Sequence, residues 1–212
     1  MRKIIFAAIV ALIMSVQSFS GAAEISETRS CYHEDVIYPV VSTGDAAIDK
    51  KINAAIMAEV DRFLTGIYRG AQVNGYEVAA VSTSYEVPCN GAGNTVILSV
   101  VLTEYSFYKM AAHPSTYKRT LNFNMASGEL MGTNYLTDVG AGIPIENFID
   151  KLNQKLLDKA KREDIHLFPD ALPLKKLPEN FYWDENLHRH FIFNQYEVAP
   201  YACGIIDIDF DE

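Results

Sequence analysis

Alternation of apolar and polar residues over neighbouring segments is the feature that most constrains the fold of this chain. The segments YEVAAVSTSYEV (76–87) and TVILSVVLTEYSFY (95–108) are joined by PCNGAGN (88–94), a glycine-rich loop suited to a hairpin. In the second segment four apolar side chains share one face: Val96, Leu98, Val100 and Leu102. A third segment, YKRTLNFNM (117–125), alternates too. These patterns predict an antiparallel sheet with one covered face.

Two longer stretches have the three- and four-residue apolar spacing of a helix. The first stripe is Ile48, Ile52, Ile56, Val60, Phe63 and Ile67. Ser42 or Asp45 is a candidate cap before it, and Asn74-Gly75 marks the turn after it. The second helix is predicted over residues 143–164, with Pro144 in its first turn. Its apolar stripe is Ile149, Leu152, Leu156 and Ala160.

Further strands are expected at both ends of the chain. YHEDVIYPVV (32–41) reads as a first strand, and Pro39 places it at an edge of the sheet or near the end of the strand. Three short strands close the chain: FYWDE, HRHFIFNQYEV and GIIDIDF. The sequence therefore predicts an α+β fold, an antiparallel β-sheet with two main helices packed on it, built as two strand–helix–strand halves.

The N-terminus has the organisation of a signal peptide. Arg2 and Lys3 precede an apolar run, Ile4–Val16, and small residues follow it, with Ala22 or Ala23 at the expected cut. The run is short for a membrane span, which needs roughly 20 residues, although a short signal anchor is the alternative. We expect a signal peptide over 1–23, an N-terminal half over 24–110 and a C-terminal half over 111–212, and a periplasmic or secreted product that does not stay in the membrane.

The chain is acidic, with 18 Lys and Arg against 27 Asp and Glu and a formal net charge of −9. Loss of Arg2 and Lys3 would leave 16 basic residues and a net charge of −11. Such a surface is poorly suited to nucleic acid, whose binding depends on neutralising phosphates. It suits a cationic partner, and solubility alone is the simpler explanation.

Three cysteines allow at most one intramolecular disulfide in an oxidising compartment. Cys31 and Cys89 lie at predicted strand ends and are the expected pair. Cys203, between Ala202 and Gly204, reads as a small packed thiol.

The sequence has no nucleophile elbow, no phosphate-binding glycine loop, no zinc-protease helix motif and no pair of Cys-x-x-Cys ligands, and we assign no catalytic residue, metal ligand or cofactor. His188 and His190 are two residues apart on a predicted strand and so share one side. They are more readily explained as part of a polar strand face than as the start of a metal site. Glu197 is a candidate general base only if it is buried, and a surface carboxylate is the simpler interpretation.

Two rigid segments carry the candidate ligand-binding residues. His113 precedes Pro114, which forces the histidine into an extended backbone between two strands. Near the C-terminus, FNQYEVAPYACG (193–204) combines Pro200, which cannot donate to a ladder, with Gly204, which can take unusual backbone angles. This run is a structural corner. We also expect His113, Tyr196 and Tyr201 to contact a ligand, because tyrosine offers a large surface and one polar group.

Several short motifs together resemble the extracytoplasmic domain family found in the anti-sigma factor RsiV. They are, in chain order, Tyr38-Pro39, Ile52-Asn53, His113-Pro114, Asn122–Gly128, Leu136–Asp138 and the Phe193–Gly204 run. The resemblance covers nearly the whole chain after the signal peptide, and the last run is its most specific part. The sequence departs from the family at Met110-Ala111, where relatives often have glycines, and at Asn124 and Ser127, where they often have Asp and Thr.

The resemblance implies an α+β domain of the bacterial cell envelope. In RsiV this domain senses lysozyme, and a related domain occurs in peptidoglycan deacetylases. It implies no catalytic residue for this chain. The expected function is therefore an exported binding module whose ligand is a lysozyme-like cationic protein or peptidoglycan. The alternative is a hydrolase acting on cell-wall glycans.

Overall fold

The computed structural model describes residues 21–138 and 144–212 of the chain. These residues form three antiparallel sheets and three α-helices. The first sheet pairs β1 (Glu24–Arg29) with β2 (Ile37–Ser42). The second is a meander of β3 (Val78–Asn90), β4 (Ile97–Tyr108), β5 (Ser115–Asn124) and β6 (Glu129–Leu130). The third is a meander of β7 (Phe181–Trp183), β8 (Arg189–Phe193) and β9 (Ile206–Asp209). The helices are α1 (Ala46–Asn74), α2 (Asn134–Asp138) and α3 (Ile145–Arg162).

The predicted α+β class, with antiparallel strands and two main helices, is confirmed, but the strands are divided among three sheets. The strand β1 was not expected, because Glu24–Arg29 has no apolar alternation. The first expected strand begins later, at Ile37. Most of the predicted signal peptide lies outside the described residues. None of the helices in the described ranges is long and apolar enough to cross a membrane.

The first core lies between α1 and the helix-facing side of the second sheet. Ile52, Ile56, Val60 and Phe63 are buried on α1, and they match four of the six positions in the predicted stripe. Asp45 is the N-cap, and its carboxylate accepts from the amides of Ala47 and Ile48 at 2.8 and 3.2 Å. Gly75 ends the helix with a left-handed φ of 68°. From β4 the core receives Leu98, Val100 and Leu102, whereas Val96 precedes the strand and is 40% exposed.

The second core lies between α3 and the third sheet. Leu152, Leu156 and Ala160 are buried as predicted, with Phe148 rather than Ile149 completing the stripe. On β9 and just beyond it, three predicted apolar side chains are also buried: Ile206, Ile208 and Phe210.

Side-chain amides close strand edges that no neighbouring strand covers. On α1, Asn53 accepts from the amide of Val41 and donates to its carbonyl, both at 2.8 Å, and so completes the free edge of β2. On α3, Asn153 accepts from the amide of Leu174 at 2.8 Å. In each half, therefore, an asparagine on the main helix accepts a hydrogen bond from a backbone amide outside that helix.

The second and third sheets meet along the outer edge of β5. Asn194 accepts from the amide of Lys118 at 2.7 Å and donates to its carbonyl at 3.1 Å. Gln195 accepts from the amide of Thr116, and Asn180 accepts from that of Thr120. We call these contacts the β5 seam. Because side chains make them, the third sheet abuts the second without continuing its backbone ladder.

The expected disulfide between Cys31 and Cys89 is not present, and the thiols of Cys31, Cys89 and Cys203 are all free. Cys31 is exposed in the loop after β1. Cys89 is buried near the end of β3, where its Sγ donates to the carbonyl of Ile97 at 3.3 Å. Burial raises the pKa of the Cys89 thiol. Cys203 is half-buried rather than fully buried.

Candidate functional site

The three residues predicted to contact a ligand lie together. His113 comes from the turn between β4 and β5, and Tyr196 and Tyr201 follow β8. The His113 Nε2 lies 3.0 Å from the Tyr196 hydroxyl. The His113 ring stacks on Tyr201, with centroids 3.8 Å apart and planes 24° from parallel. We call these three residues the His–Tyr cluster. It joins the second and third sheets at the end of the β5 seam.

Pro114 fixes the orientation of the His113 ring. The Nδ1 of His113 lies 2.9 Å from the carbonyl oxygen of Pro114, which can only accept a hydrogen bond. In the neutral ring Nδ1 therefore carries the proton, and Nε2 accepts from the Tyr196 hydroxyl.

Tyr196 is held in a strained, exposed position. Its φ is 65°, a value uncommon for residues other than glycine, and the residue is 54% exposed. The turn is fixed on both sides, because the Glu197 amide donates to the Asn194 carbonyl and Glu197 Oε2 accepts from the Asn194 amide at 2.8 Å. The Glu197 carboxylate is thus an exposed structural group of this turn.

The run from Pro200 to Gly204 forms a tight corner under Tyr201. A single 3-10 turn spans Tyr201–Cys203, closed by bonds from Cys203 to Pro200 and from Gly204 to Tyr201. Gly204 has φ 68° and ψ −151°, a combination almost restricted to glycine. The corner holds Tyr201 half-buried, with its ring against His113.

A groove of about 660 Å³ runs beside the cluster and the edge of β5. Tyr117 and Tyr196 contribute exposed rings, at 40% and 54% exposure. Its charged lining residues are three cations and three anions, namely Arg119, Lys175, Lys176, Asp170, Glu179 and Glu197. Prolines 173 and 178 of the connection before β7 shape the opposite wall. We call this feature the β5 groove.

Behind the groove lies a charged cluster that the sequence analysis missed. Glu104 projects from the helix-facing side of β4 and is almost fully buried. Burial raises its pKa to about 7, against the attraction of Arg62 and Arg119 and with the help of nearby Glu59. Arg119 lies 3.6 Å from Glu59 and 4.0 Å from Glu104. The signal was available, since Glu104 continues the apolar row of Leu98, Val100 and Leu102 at two-residue steps.

His190 of β8 and His188, just before this strand, form a second polar cluster on the outer side of the third sheet. His190 Nδ1 is 3.1 Å from Asp207, and His188 Nδ1 is 3.2 Å from Asp209. Tyr182 stacks on His190 and donates to Asp207 at 2.8 Å. Burial lowers the pKa of His190, but the hydrogen bond and charge of Asp207 outweigh it, so the pKa is raised.

This arrangement explains the acidic row of β9. Asp207 and Asp209 are paired with histidines, and Asp211 forms a bidentate ion pair with Arg189. The row is therefore an internally paired face rather than open acidic surface. Within residues 21–138 and 144–212, no group of three or more His, Cys, Asp or Glu side chains is placed to hold a metal ion.

Comparison with known proteins finds a similar fold and does not point to an activity. Residues 134–211 match the model of a family described as a protein of unknown function, DUF3298. A crystal structure of a member of that family from Bacteroides fragilis is similar, with a TM-score of 0.55 and 17% sequence identity, over 88% of this chain and 87% of that chain. No curated protein matches the chain. At this identity the likeness concerns the fold, and the narrower RsiV-type assignment stays a hypothesis.

Proposed function

We propose that the chain is an exported binding module of the bacterial cell envelope whose partner is a cationic protein of the lysozyme kind. The observation that carries the proposal is the His–Tyr cluster. Its three residues come from turns more than 80 positions apart in sequence, yet they stack and hydrogen-bond at a partly exposed surface. Histidine and tyrosine rings held in this way are suited to act as the anchors of an interface.

Charge supports the same kind of partner. The net charge of −9 becomes −11 if the predicted signal peptide is removed, because Arg2 and Lys3 are lost. An acidic module attracts a basic protein over the distance that salt leaves unscreened, about 8 Å at physiological ionic strength. The sequence resemblance to a lysozyme-sensing domain points to the same chemistry.

Contacts of the catalytic candidates favour binding over hydrolysis. Glu197 accepts from the backbone of its own turn, and His188 and His190 are paired with aspartates of β9. Each of these side chains has a structural partner. A hydrolase acting on wall glycans remains the alternative, and a turnover assay on purified peptidoglycan separates the two functions.

The decisive measurement is binding of lysozyme to residues 24–212, with association and dissociation followed at about 50 and about 500 mM salt. Association should slow at the higher salt. Tyr201→Ala and His113→Ala should each speed dissociation by about tenfold with the fold intact, as expected for truncated anchors. Leu130→Ala is the control, because Leu130 is an exposed apolar residue (52%) opposite Phe123, at the far end of β5.

Two results contradict the proposal. If lysozyme does not bind even at low salt, this partner must be dropped. If either alanine variant unfolds, the replaced residue has a structural role and its assignment to the site is wrong.

Peptidoglycan is a second candidate ligand, favoured by the β5 groove. Exposed rings stack on the apolar faces of sugars, and a groove with balanced charge suits a neutral, hydroxyl-rich chain. Co-sedimentation with purified peptidoglycan tests this candidate. Binding that survives Tyr117→Ala unchanged would remove the groove from consideration, since Tyr117 provides one of its two exposed rings.

A further inference from the structure

The turn between β4 and β5 exposes an apolar side chain where the backbone favours glycine. The Ala111 amide donates to the Tyr108 carbonyl at 3.1 Å, which closes a tight turn with Lys109 and Met110 at its centre. Met110 has φ 68°, while Lys109 is not among the residues of positive φ. A positive φ at the third position only is the geometry of a type II turn, in which glycine is preferred there. Met110 is 101% exposed, so packing within the chain does not offset this strain.

We infer that Met110 is an apolar anchor that inserts into a pocket on the protein partner; this inference rests on the function proposed above. Strain held at a surface residue without internal contacts is typical of positions that serve binding. Methionine suits such a role, because its unbranched, polarizable side chain adapts to irregular pockets.

The base of the turn is fixed, so the side chain is presented in a defined place. The Lys109 amide donates to the Glu77 carbonyl at 2.8 Å, and the Lys109 side chain forms an ion pair with the Glu77 carboxylate. Tyr108 donates its hydroxyl to the carbonyl of Ile67 at 3.1 Å, tying the end of β4 to α1. Little conformational freedom remains to be lost by this backbone on binding.

Aromatic side chains precede and follow the turn. Tyr76 and Tyr108 pack with ring centroids 5.7 Å apart, and Tyr76 is 59% exposed. On the other side of the turn, His113 leads into the His–Tyr cluster. Met110 therefore lies between the half-buried rings of Tyr108 and His113, and the exposed Tyr76 ring, from the segment before β3, packs against Tyr108. Aromatic side chains are enriched in protein interfaces.

The partner is a protein with an apolar pocket bordered by basic residues. The net charge of −9 favours a basic border, whereas Glu77 is already paired with Lys109. The same net charge disfavours the anionic lipids of a membrane surface, which the apolar side chain would otherwise suit.

Two substitutions at Met110 separate the anchor from the strain. Met110→Gly removes both, so we expect the melting temperature to rise by about 3 °C while dissociation from lysozyme speeds up by about tenfold. Met110→Ala keeps the strained backbone and removes the anchor, so dissociation should speed up without the thermal gain. Leu187→Gly is the matched control, since Leu187 also has a positive φ (63°) and is 45% exposed, but lies in the β7–β8 turn. It should leave the lysozyme dissociation rate unchanged.

The outcomes distinguish this inference from the proposed function. If lysozyme binds the wild type and Met110→Gly equally well, the anchor is refuted and the proposed function stands. If Met110→Gly lowers the melting temperature, the turn is not strained and the inference fails. If lysozyme does not bind the wild type, both fail together. The inference is also overturned if the protein binds anionic vesicles, if this binding is lost in the Met110 variants, and if lysozyme binding is unchanged in them. That result would assign the side chain to a membrane surface.

Discussion

Replacing Glu104 by Gln should remove a large pH dependence from the free energy of unfolding. The Glu104 side chain is only 6% exposed, and burial is the main reason why its pKa is raised from 4.5 to about 7. The positive charge of Arg62 lowers the pKa of Glu104, but by less than burial raises it. Its guanidinium donates to Glu59 at 2.8 and 2.5 Å and reaches Glu104 at only 3.3 Å.

The sign and size of the effect follow from this shift. A carboxyl with a higher pKa in the folded chain binds its proton more tightly when folded. Its stabilising contribution is complete below about pH 4.5 and is lost as the pH rises through about 7. One pKa unit corresponds to about 1.4 kcal/mol, so a shift from 4.5 to about 7 corresponds to about 3 kcal/mol. Because Gln does not titrate, the unfolding free energy of Glu104→Gln relative to wild type should increase by about 3 kcal/mol from below pH 4.5 to above pH 7.

Urea denaturation of both proteins over this pH range measures the difference, with fluorescence of Trp183, the single and buried tryptophan, as the probe. The titration of His190, whose pKa is also raised, is common to both proteins and cancels. A difference that does not change with pH would refute the reasoning. It would mean that Glu104 stays ionised as an ordinary partner of Arg62 and that burial does not dominate its pKa.

Two further predictions concern the β5 seam and the cysteines. Asn194→Ala leaves the amide and carbonyl of Lys118 without their partner, so we expect the free energy of unfolding, measured by urea denaturation, to fall by about 2 kcal/mol. The control is Asn186→Ala, in the exposed β7–β8 turn. Equally small effects of the two substitutions would show that the seam does not need the Asn194 amide. In the native chain a maleimide should label Cys31 rapidly and Cys89 only after unfolding, because one thiol is exposed and the other buried with a raised pKa; a Cys31–Cys89 linked peptide in a non-reduced digest would restore the disulfide that the structure lacks.

Local periodicity predicted the elements whose burial is decided by their own sequence. The stripe Ile52, Ile56, Val60 of α1 and the row Leu98, Val100, Leu102 of β4 were visible because each repeats with the period of its backbone. The strand β1 was not visible, since its residues are mostly exposed on both faces and only pairing with β2 makes it a strand.

The division into three sheets could not be predicted, because it depends on single side chains acting in place of strands. Asn53 and Asn194 read in sequence as ordinary polar residues on a helix and at a strand end. Only the fold shows that each amide completes a strand edge.

The sequence singled out the three residues of the candidate site, but it did not predict that they contact one another. His113 was singled out by the proline after it, and Tyr196 and Tyr201 by the corner run. That these rings touch depends on where the β5 seam joins the second and third sheets, a contact between segments about 80 residues apart. The buried Glu104 behind the β5 groove was overlooked because a single carboxylate at the end of an apolar row resembles the start of a solvent-facing turn.

The β5 seam has a mechanical consequence. Gln195, which bonds the Thr116 amide, is the direct neighbour of Tyr196, and His113 leads straight into β5. A force applied to either ring, for instance by the proposed partner, would therefore be transmitted along the backbone to the side-chain amides that hold the second and third sheets together. The hydrogen bonds of the β5 seam, which follow one another along the strand, would then break in sequence from the end nearest the His–Tyr cluster. Tension on the bound module would thus be resisted first at Thr116, then at Lys118 and last at Thr120.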